Sequence, residues 1–208
     1  MKTDNNIRSY QPDNCIVFWK TTEEFGGLSN MAAGYPLVIN EVHVKSSEAL
    51  YQACRFPFYG EIQQEIISQK SPMTAKMKSK KYRVNTRKDW ELVNIRIMQW
   101  SLRVKLMQNY NKFSSLLLKT GDLPIVEYST KDKFWGAMPS SNGELVGANV
   151  LGRLLMQLRD NVRLFAEEHP MVLPPPVVND FLLYGSPIGY VHYHAGSNSE
   201  SSVQTKLF

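Results

Sequence analysis

The sequence contains no long apolar run. A membrane-spanning helix needs about 18 consecutive apolar residues, and no such stretch occurs. The first residues, Met1–Asn14, are polar and lack the apolar segment of a secretory signal peptide. We therefore expect a cytoplasmic protein with no membrane partner.

Cysteine and histidine are scarce. The chain has two cysteines, Cys15 and Cys54, and four histidines, and these residues are not grouped at the spacing of a metal site. One disulfide is open to two cysteines, but reduced thiols are favoured in a cytoplasmic protein. The sequence also lacks a Walker loop, a dinucleotide-binding glycine fingerprint and a nucleophile elbow. We expect neither a metal nor a cofactor.

Acidic residues are absent from one strongly basic stretch. Residues 76–88 contain seven of the 24 lysines and arginines, which leaves 17 basic against 19 acidic residues elsewhere. The net charge of +5 therefore originates in this stretch. A concentrated positive patch attracts phosphate, on a nucleotide or on a nucleic-acid backbone. A solvated basic helix end and loop is an equally good interpretation.

Apolar periodicity predicts an α+β fold, a single helix-rich domain with a few short strands. Trp90, Val93, Ile97 and Val104 follow the 3.6-residue period of a long helix. Ser46 or Ser47 is expected to cap one helix, and Ser71-Pro72 to begin another. Helices are predicted at 48–56, 61–69, from 72, at 89–109 and at 149–168. Strands are predicted at 15–19 and 125–128, and residues 35–44 are expected to form a strand or a hairpin around Asn40-Glu41.

Changes in composition divide the chain into three parts. Residues 1–14 are expected to be a flexible segment, 15–168 the folded domain, and 169–208 a partly mobile C-terminal extension. Within the extension lies an aromatic stretch, Phe181–His194. It is either an arm packed on the domain or a contact for a partner, and the sequence leaves both open.

One predicted helix carries polar side chains that a core would not select. Glu48, Tyr51, Gln52 and Arg55 are spaced three and four residues apart, so they share one helix face. A carboxylate, an amide and a guanidinium on one face suit the wall of a polar pocket. The alternative is a solvated first helical turn, where the helix dipole favours glutamate.

Two loops have a composition suited to nucleotide binding. The segment 25–30 (FGGLSN) offers backbone N–H groups beside a hydroxyl and an amide, which suits phosphate or ribose. The segment 132–136 (DKFWG) places aromatic rings beside a carboxylate, and aromatic rings stack on bases. Glycine turns and tryptophans that anchor loops to a core are common, so these signals also allow purely structural roles.

Taken together, these blocks resemble the NADAR family over roughly residues 15–165. The resemblance implies a helix-rich α+β fold and N-glycosidase activity, in which a ribose–base bond is cut. The matching blocks, in order, are Phe18-Trp19, the segment 25–30, the segment 46–53 (SSEALYQA), Ser71-Pro72, Lys88-Asp89-Trp90, the segment 132–136 and the segment 147–156 (GANVLGRLLM).

The resemblance assigns roles to individual residues. Glu48 matches the family's catalytic glutamate, and Asp132 and Lys76 complete the candidate catalytic set. By the resemblance and by residue type, the candidate substrate-binding residues are Phe18, Gly27, Ser29, Asn30, Gln52, Arg55, Trp90, Phe134, Trp135, Gly136 and Asn149.

The sequence departs from the family at Arg55, where lysine is common. The resemblance suggests that a lysine forms a Schiff base with the opened ribose in part of the family. Arginine cannot do this because its guanidinium stays protonated. Either another lysine serves, with Lys76 and Lys78 nearest by motif, or water attacks the ribose. Arg55 is then free to bind phosphate.

The resemblance implies a substrate of nucleotide type. The expected reaction removes ADP-ribose from guanine in nucleic acid, as an antitoxin does, which implies functional pairing with a DNA ADP-ribosyltransferase toxin. One alternative is hydrolysis of phosphoribosyl intermediates of early riboflavin synthesis. Another is a non-catalytic module that binds ADP-ribose or a nucleotide, which the arginine at position 55 keeps open.

Overall fold

The computed structural model describes residues 6–164 and 172–193. These residues form the predicted α+β fold, with six α-helices and several short strands in small sheets. The helices are α1 (Ser47–Ala53), α2 (Gly60–Ile67), α3 (Pro72–Lys81), α4 (Trp90–Gln108), α5 (Tyr110–Lys119) and α6 (Val150–Leu164).

The strands are two or three residues long and pair mostly in antiparallel fashion. The exception is a parallel pair, β2 with β5, which places residues 16–18 beside residues 125–127. The strands are β1 (Arg8–Tyr10), β2 (Ile16–Phe18), β3 (Leu37–Ile39), β4 (Val42–Val44), β5 (Ile125–Glu127), β6 (Met138–Pro139), β7 (Leu145–Gly147), β8 (Val172–Leu173), β9 (Leu182–Leu183), β10 (Ser186–Pro187) and β11 (Val191–His192).

Local signals fix the helix starts and the hairpin. Ser46 caps α1 by accepting from Ala49 N–H, and Ser71 caps α3 in a capping box with Thr74. β3 and β4 are joined by Asn40 and Glu41, which have φ values of 47° and 64°. Positive φ at both residues is the geometry of a tight hairpin turn. The predicted caps and hairpin are confirmed.

The core surrounds α4, which contacts α1, α5 and α6. Its apolar residues Ile97, Leu102 and Val104 are almost completely buried. Cys15 and Cys54 are free thiols. Among the described residues, no helix is long and apolar enough to cross a bilayer.

Three segments differ from the expectation. Residues 8–10, within the segment expected to be flexible, form β1 and pair antiparallel with β7. The helix α5 was not predicted; a single residue, Asn109, separates it from α4. The helix predicted at 149–168 begins at Val150 and is described to Leu164, so the last four predicted residues lie outside the described part.

The described part of the C-terminal extension packs on the domain as an arm. Phe181 contacts the ring of Trp100 edge-on at 5.0 Å, and Trp100 Nε1 donates to Pro174 O. Gln63 of α2 donates to Leu182 O and accepts from Tyr184 N–H. Leu183 and Val191 are buried in the main core cluster. His194 and the tail that we expect to be mobile lie outside the described residues.

Candidate active site

A cavity of about 300 Å³ opens between α1, α3, the first half of α4 and the loop that follows β5. It brings together most of the candidate residues from distant parts of the chain. Its lining residues are Ser29, Asn30, Met31, Glu48, Tyr51, Gln52, Arg55, Lys76, Trp90, Glu91, Asn94, Met98, Glu127, Tyr128, Ser129, Asp132, Phe134, Trp135 and Leu151.

Glu48 lies in the first turn of α1, and its side chain faces the cavity. The residue is 4% exposed, so this turn is not solvated. Its Oε1 accepts a hydrogen bond from Gln52 Nε2 at 2.9 Å and lies 3.9 Å from Lys76 Nζ. Both neighbours suit an acceptor with negative charge. All members of the predicted polar face line the cavity: Glu48, Tyr51 and Gln52 lie on α1, and Arg55 lies in the turn that follows it.

Gln52 links Glu48 to α3. While its Nε2 donates to Glu48, its Oε1 accepts from Ser79 Oγ at 2.7 Å. Gln52 and Ser79 are both buried. This chain of hydrogen bonds fixes the rotamer of Gln52 and, through it, the position of the Glu48 carboxylate.

Aromatic rings form one wall of the cavity. Tyr51 lies between Trp90 and Trp135, with ring centroids at 5.1 Å and 5.8 Å. The guanidinium of Arg55 stacks over Trp90, with its central carbon 4.7 Å from the ring centroid. Burial raises the pKa of Tyr51 and lowers that of Arg55. The buried Nε of Arg55 has no hydrogen-bond partner among the described residues, so this donor is available to a ligand.

Asp132 organises the loop at the rim of the cavity. Its Oδ1 accepts from the backbone N–H groups of Phe134 and Trp135, each at 2.9 Å, and its own N–H donates to Ser129 Oγ. Asp132 thus fixes the backbone that presents Trp135 to the cavity. The carboxylate is exposed at the rim, unlike that of Glu48.

The loop 25–30 contacts the cavity only through its last residues. Ser29 and Asn30 line it, and Asn30 Oδ1 accepts from Ser47 Oγ at 2.9 Å while Asn30 O accepts from Glu48 N–H. Gly27 does not line the cavity. Its carbonyl accepts from the buried Lys105 Nζ, and a Cβ at this position would lie 2.4 Å from the Tyr35 hydroxyl oxygen. Gly27 permits close packing behind the site.

Three further candidates lie behind the cavity wall. Phe18 is 1% exposed and belongs to the core. Gly136 allows the chain to approach Glu127, since a Cβ there would lie 2.5 Å from Glu127 O. Asn149 is fully buried; its Oδ1 accepts from Glu127 N–H and its Nδ2 donates to Ile125 O. These three residues therefore support strand β5, which carries Glu127, or the residues that pack around this strand.

The basic stretch 76–88 is divided among several environments. Lys76 lines the cavity, whereas Lys78 is paired with Glu65 at 2.5 Å and does not. Arg87 is buried, and donates to Asp89 and to Asn179 O of the extension. Lys80, Lys81, Arg83 and Lys88 are exposed. The predicted patch is therefore partly solvated, and Lys76 is the member of the stretch that reaches the cavity lining.

Sequence reasoning missed Glu127 and Asn94. Glu127 ends β5 and lines the cavity; burial raises its pKa to about 7, with Glu48 and Asp132 also raising it and Lys76 lowering it. Asn94 lies one helical turn after Trp90, is 4% exposed, and its Oδ1 has no hydrogen-bond partner among the described residues. A signal existed for both: a carboxylate at a strand end, and an amide on the helix face of Trp90.

Another carboxylate in the cavity raises the question of a metal. Within residues 6–164 and 172–193, no cluster of three or more histidine, cysteine or acidic side chains has the geometry to hold a metal ion. The cavity is instead a mixture of acidic, cationic, amide and aromatic groups.

Comparison with known proteins places this cavity in context. The model of the NADAR domain family matches residues 17–163. N-glycosidase YbiA of Escherichia coli is 33% identical over 156 residues, which cover 75% of this chain and 93% of YbiA. A riboflavin biosynthesis protein of Vibrio vulnificus is 31% identical, over 76% of this chain and 41% of that protein. The NMR structure of E. coli YbiA superposes with a TM-score of 0.63 at 32% identity, covering 76% of this chain and 90% of YbiA.

Proposed function

This chain belongs to the NADAR family and is an N-glycosidase, and we propose that its substrate is ADP-ribose attached to guanine in nucleic acid. The observation that carries the proposal is the combination, in one cavity, of Glu48 with Lys76, Arg55 and an aromatic wall. A carboxylate can transfer a proton when the ribose–base bond breaks, the cations can bind phosphate, and the rings can stack on a base.

Unpaired polar groups in the cavity fit a nucleotide of this kind. The buried Oδ1 of Asn94 is an acceptor without a partner among the described residues, which suits an N–H group of a purine base. Arg55 Nε is a buried donor that also lacks a partner among the described residues, which suits a phosphate oxygen. Both groups line the wall that Trp90 also forms.

A second aromatic surface at the rim favours a substrate larger than one nucleotide. The exposed ring of Trp19 contacts the ring of Tyr128, a lining residue, with centroids 4.9 Å apart. Lys20 Nζ lies 5.2 Å from the Trp19 ring centroid. An aromatic pair beside a cation is suited to stack on a base and to contact phosphate. ADP-ribosyl-guanine has two bases and a diphosphate between them, so it needs more than one such surface.

The proposed mechanism is hydrolysis in which Glu48 acts as the acid/base. Breaking the ribose–base bond builds positive charge on the ribose, which carboxylates in the cavity stabilise. Glu48 and, from the rim, Asp132 supply this charge. Lysine nucleophiles are activated by burial or by a neighbouring cation. The side chain of Lys76 is 47% exposed and lies beside a carboxylate, so we favour water as the nucleophile, with Lys76 positioning Glu48 and substrate.

The second candidate substrate is a small phosphoribosyl intermediate of riboflavin synthesis. The name of the Vibrio relative favours it, as does a cavity of about 300 Å³, which accommodates a single nucleotide better than a dinucleotide. For the first candidate, we also infer a functional pairing with a DNA ADP-ribosyltransferase, which produces the modified guanine. The non-catalytic interpretation is set aside because the chain belongs to a family of glycosidases.

The decisive experiment incubates DNA that carries ADP-ribosyl-guanine with the wild-type protein and with Glu48→Gln, and follows both products by mass spectrometry. We expect wild type alone to release ADP-ribose and restore guanine. If wild type leaves the DNA unchanged but hydrolyses a phosphoribosyl pyrimidine, the second candidate is correct.

A salt titration and a rim variant test the size of the substrate. Binding through several phosphates weakens steeply with ionic strength. Trp19→Ala is expected to weaken binding to modified DNA about tenfold, because base stacking is worth about 1–3 kcal/mol. Tyr190→Ala removes another exposed ring, outside the cavity, and is the matched control. Equal effects of the two variants would count against a rim contact with nucleic acid.

A further inference from the structure

Glu127 is held rigidly at the edge of the cavity. Its N–H donates to Asn149 Oδ1 at 3.1 Å, and its carbonyl accepts from Ala137 N–H at 2.8 Å. Gly136 packs so closely against that carbonyl that a side chain there would collide with it. The buried Asn149 side chain therefore fixes the backbone from which the Glu127 carboxyl projects into the cavity.

Two of the three glutamates that line the cavity, Glu48 and Glu127, have different surroundings. Glu48 has a hydrogen-bond donor, Gln52, and a cation, Lys76, next to the same oxygen. Glu127 is half-buried, and the charged groups that act on it are Lys76 from α3, Glu48 from α1 and Asp132 from the rim loop. Because burial and the two acids outweigh the lysine, the pKa of Glu127 rises to about 7. A carboxyl group that is shielded from solvent beside two other acids suits a proton donor, and a carboxylate that faces an amide donor and a cation suits a base.

We infer that Glu127 is the proton donor to the leaving base and that Glu48 is the base that takes the proton from the attacking water. The assignment rests on the proposed N-glycosidase reaction and divides its acid/base work between two residues. Neither the family resemblance nor the sequence pattern assigns a role to Glu127.

The step balances as a hydrolysis. The bond between ribose C1 and the base nitrogen breaks, and its electron pair goes to the nitrogen, which takes the proton of the Glu127 carboxyl. Water oxygen bonds to C1, and one water proton passes to the Glu48 carboxylate. The products are the unmodified guanine of the nucleic acid and ADP-ribose with a hydroxyl at C1. Transfer of a proton from Glu48 to solvent and from solvent to Glu127 restores the starting state.

A proton donor matters most when the leaving group is poor. A purine that leaves as an anion is unstable in a partly apolar cavity, so protonation in the transition state is worth about 10²–10⁴-fold in rate. If the base is methylated on a ring nitrogen, it is cationic in the substrate and leaves as a neutral molecule. Such a substrate does not need the proton of Glu127.

The experiment compares wild type with Glu127→Gln on ADP-ribosyl-guanine and on its ring-methylated form, across pH 5 to 9. We expect the wild-type rate on the unmethylated substrate to fall above about pH 7, because an acid that has lost its proton cannot donate it. Glu127→Gln should be about 10²–10³-fold slower on this substrate and lack the alkaline fall. On the methylated substrate, it should stay within about threefold of wild type.

Matched controls separate this role from a structural one. Glu61→Gln changes an exposed glutamate at the start of α2 and should leave both rates unchanged. ADP-ribose binding and thermal melting show whether Glu127→Gln folds and retains its cavity. A near-wild-type rate of Glu127→Gln on unmethylated guanine, or equal losses on both substrates, would overturn the inference. Wild type inactive on ADP-ribosyl-guanine would instead contradict the proposed substrate; the pH profiles of both proteins on a phosphoribosyl pyrimidine then decide the role of Glu127.

Discussion

Gln52 Nε2 donates a hydrogen bond of 2.9 Å to Glu48 Oε1, one helical turn earlier on α1. The pair is buried, and Ser79 Oγ of α3 holds the other end of the amide. The position of the candidate catalytic carboxylate is therefore set by a contact between two helices and not by α1 alone.

Replacing Gln52 tests whether this contact positions Glu48. Gln52→Leu removes the donor at a similar side-chain volume, and we expect kcat to fall about 10- to 100-fold, as when a partner that orients a functional group is lost. KM should change little, because the substrate contacts remain. The control Gln64→Leu alters an exposed glutamine of α2. A rise in KM with an unchanged kcat would show that Gln52 binds substrate and does not position Glu48.

Glu48→Gln keeps the shape of the side chain and removes its charge and its acid/base capacity. Turnover should fall by at least about 10³-fold, within the range of general acid–base catalysis. Binding of ADP-ribose, measured by calorimetry, should be nearly unchanged. A variant with a near-wild-type rate would remove Glu48 from the mechanism.

Lys76→Arg distinguishes a positioning cation from a nucleophile. The charge beside Glu48 is retained, while an arginine cannot form a Schiff base. We expect the variant to keep at least about a tenth of the wild-type rate and borohydride to trap no adduct on the wild-type protein, since water is the nucleophile. Lys76→Met should lose more activity. A reduced adduct on Lys76, found by mass spectrometry, would establish a lysine intermediate instead.

The raised pKa of Glu127 leads us to expect that the free energy of unfolding depends on pH. Its pKa in the folded protein is about 7, against an ordinary 4.5, so the folded state holds the proton more tightly than the unfolded chain. This contribution is present at low pH and is lost as pH rises from about 4.5 to about 7. Glu127→Gln stays neutral, so its melting temperature relative to wild type should be higher at pH 8.5 than at pH 5, by about 3 °C for each kcal/mol relieved. No change of this difference with pH would contradict the pKa shift.

The C-terminal arm contributes to stability through Phe181, which is 7% exposed. Phe181→Ala should lower the free energy of unfolding by about 3–4 kcal/mol, because it leaves a cavity against Trp100. Tyr190→Ala, at an arm residue that is 65% exposed, should change it by less than about 0.5 kcal/mol. Denaturant unfolding of both variants measures the difference. Equal, small effects would mean that the arm is not part of the cooperative fold.

Much of the fold followed from local sequence signals. Ser46 and Ser71 cap helices through contacts with residues three positions later, and the Asn40-Glu41 turn joins adjacent strands. These local features could therefore be predicted without tertiary contacts. The strand β1 could not, because two of its three residues are exposed and it gains order by pairing with β7. The helix α5, which follows the predicted end of α4, was also missed.

The candidate site was predictable where its residues share one element. Glu48, Tyr51 and Gln52 lie on α1 at helical spacing, so the sequence alone determined that they face the same way, and Arg55 follows in the turn after the helix. The tertiary structure decided which lysine reaches them, that Glu127 completes the site, and that Phe18, Gly27, Gly136 and Asn149 lie outside its lining. It also decided that the arm packs on the domain. The physical reason is that burial, pKa shifts and ion pairs depend on neighbours from distant parts of the chain, which local periodicity does not encode.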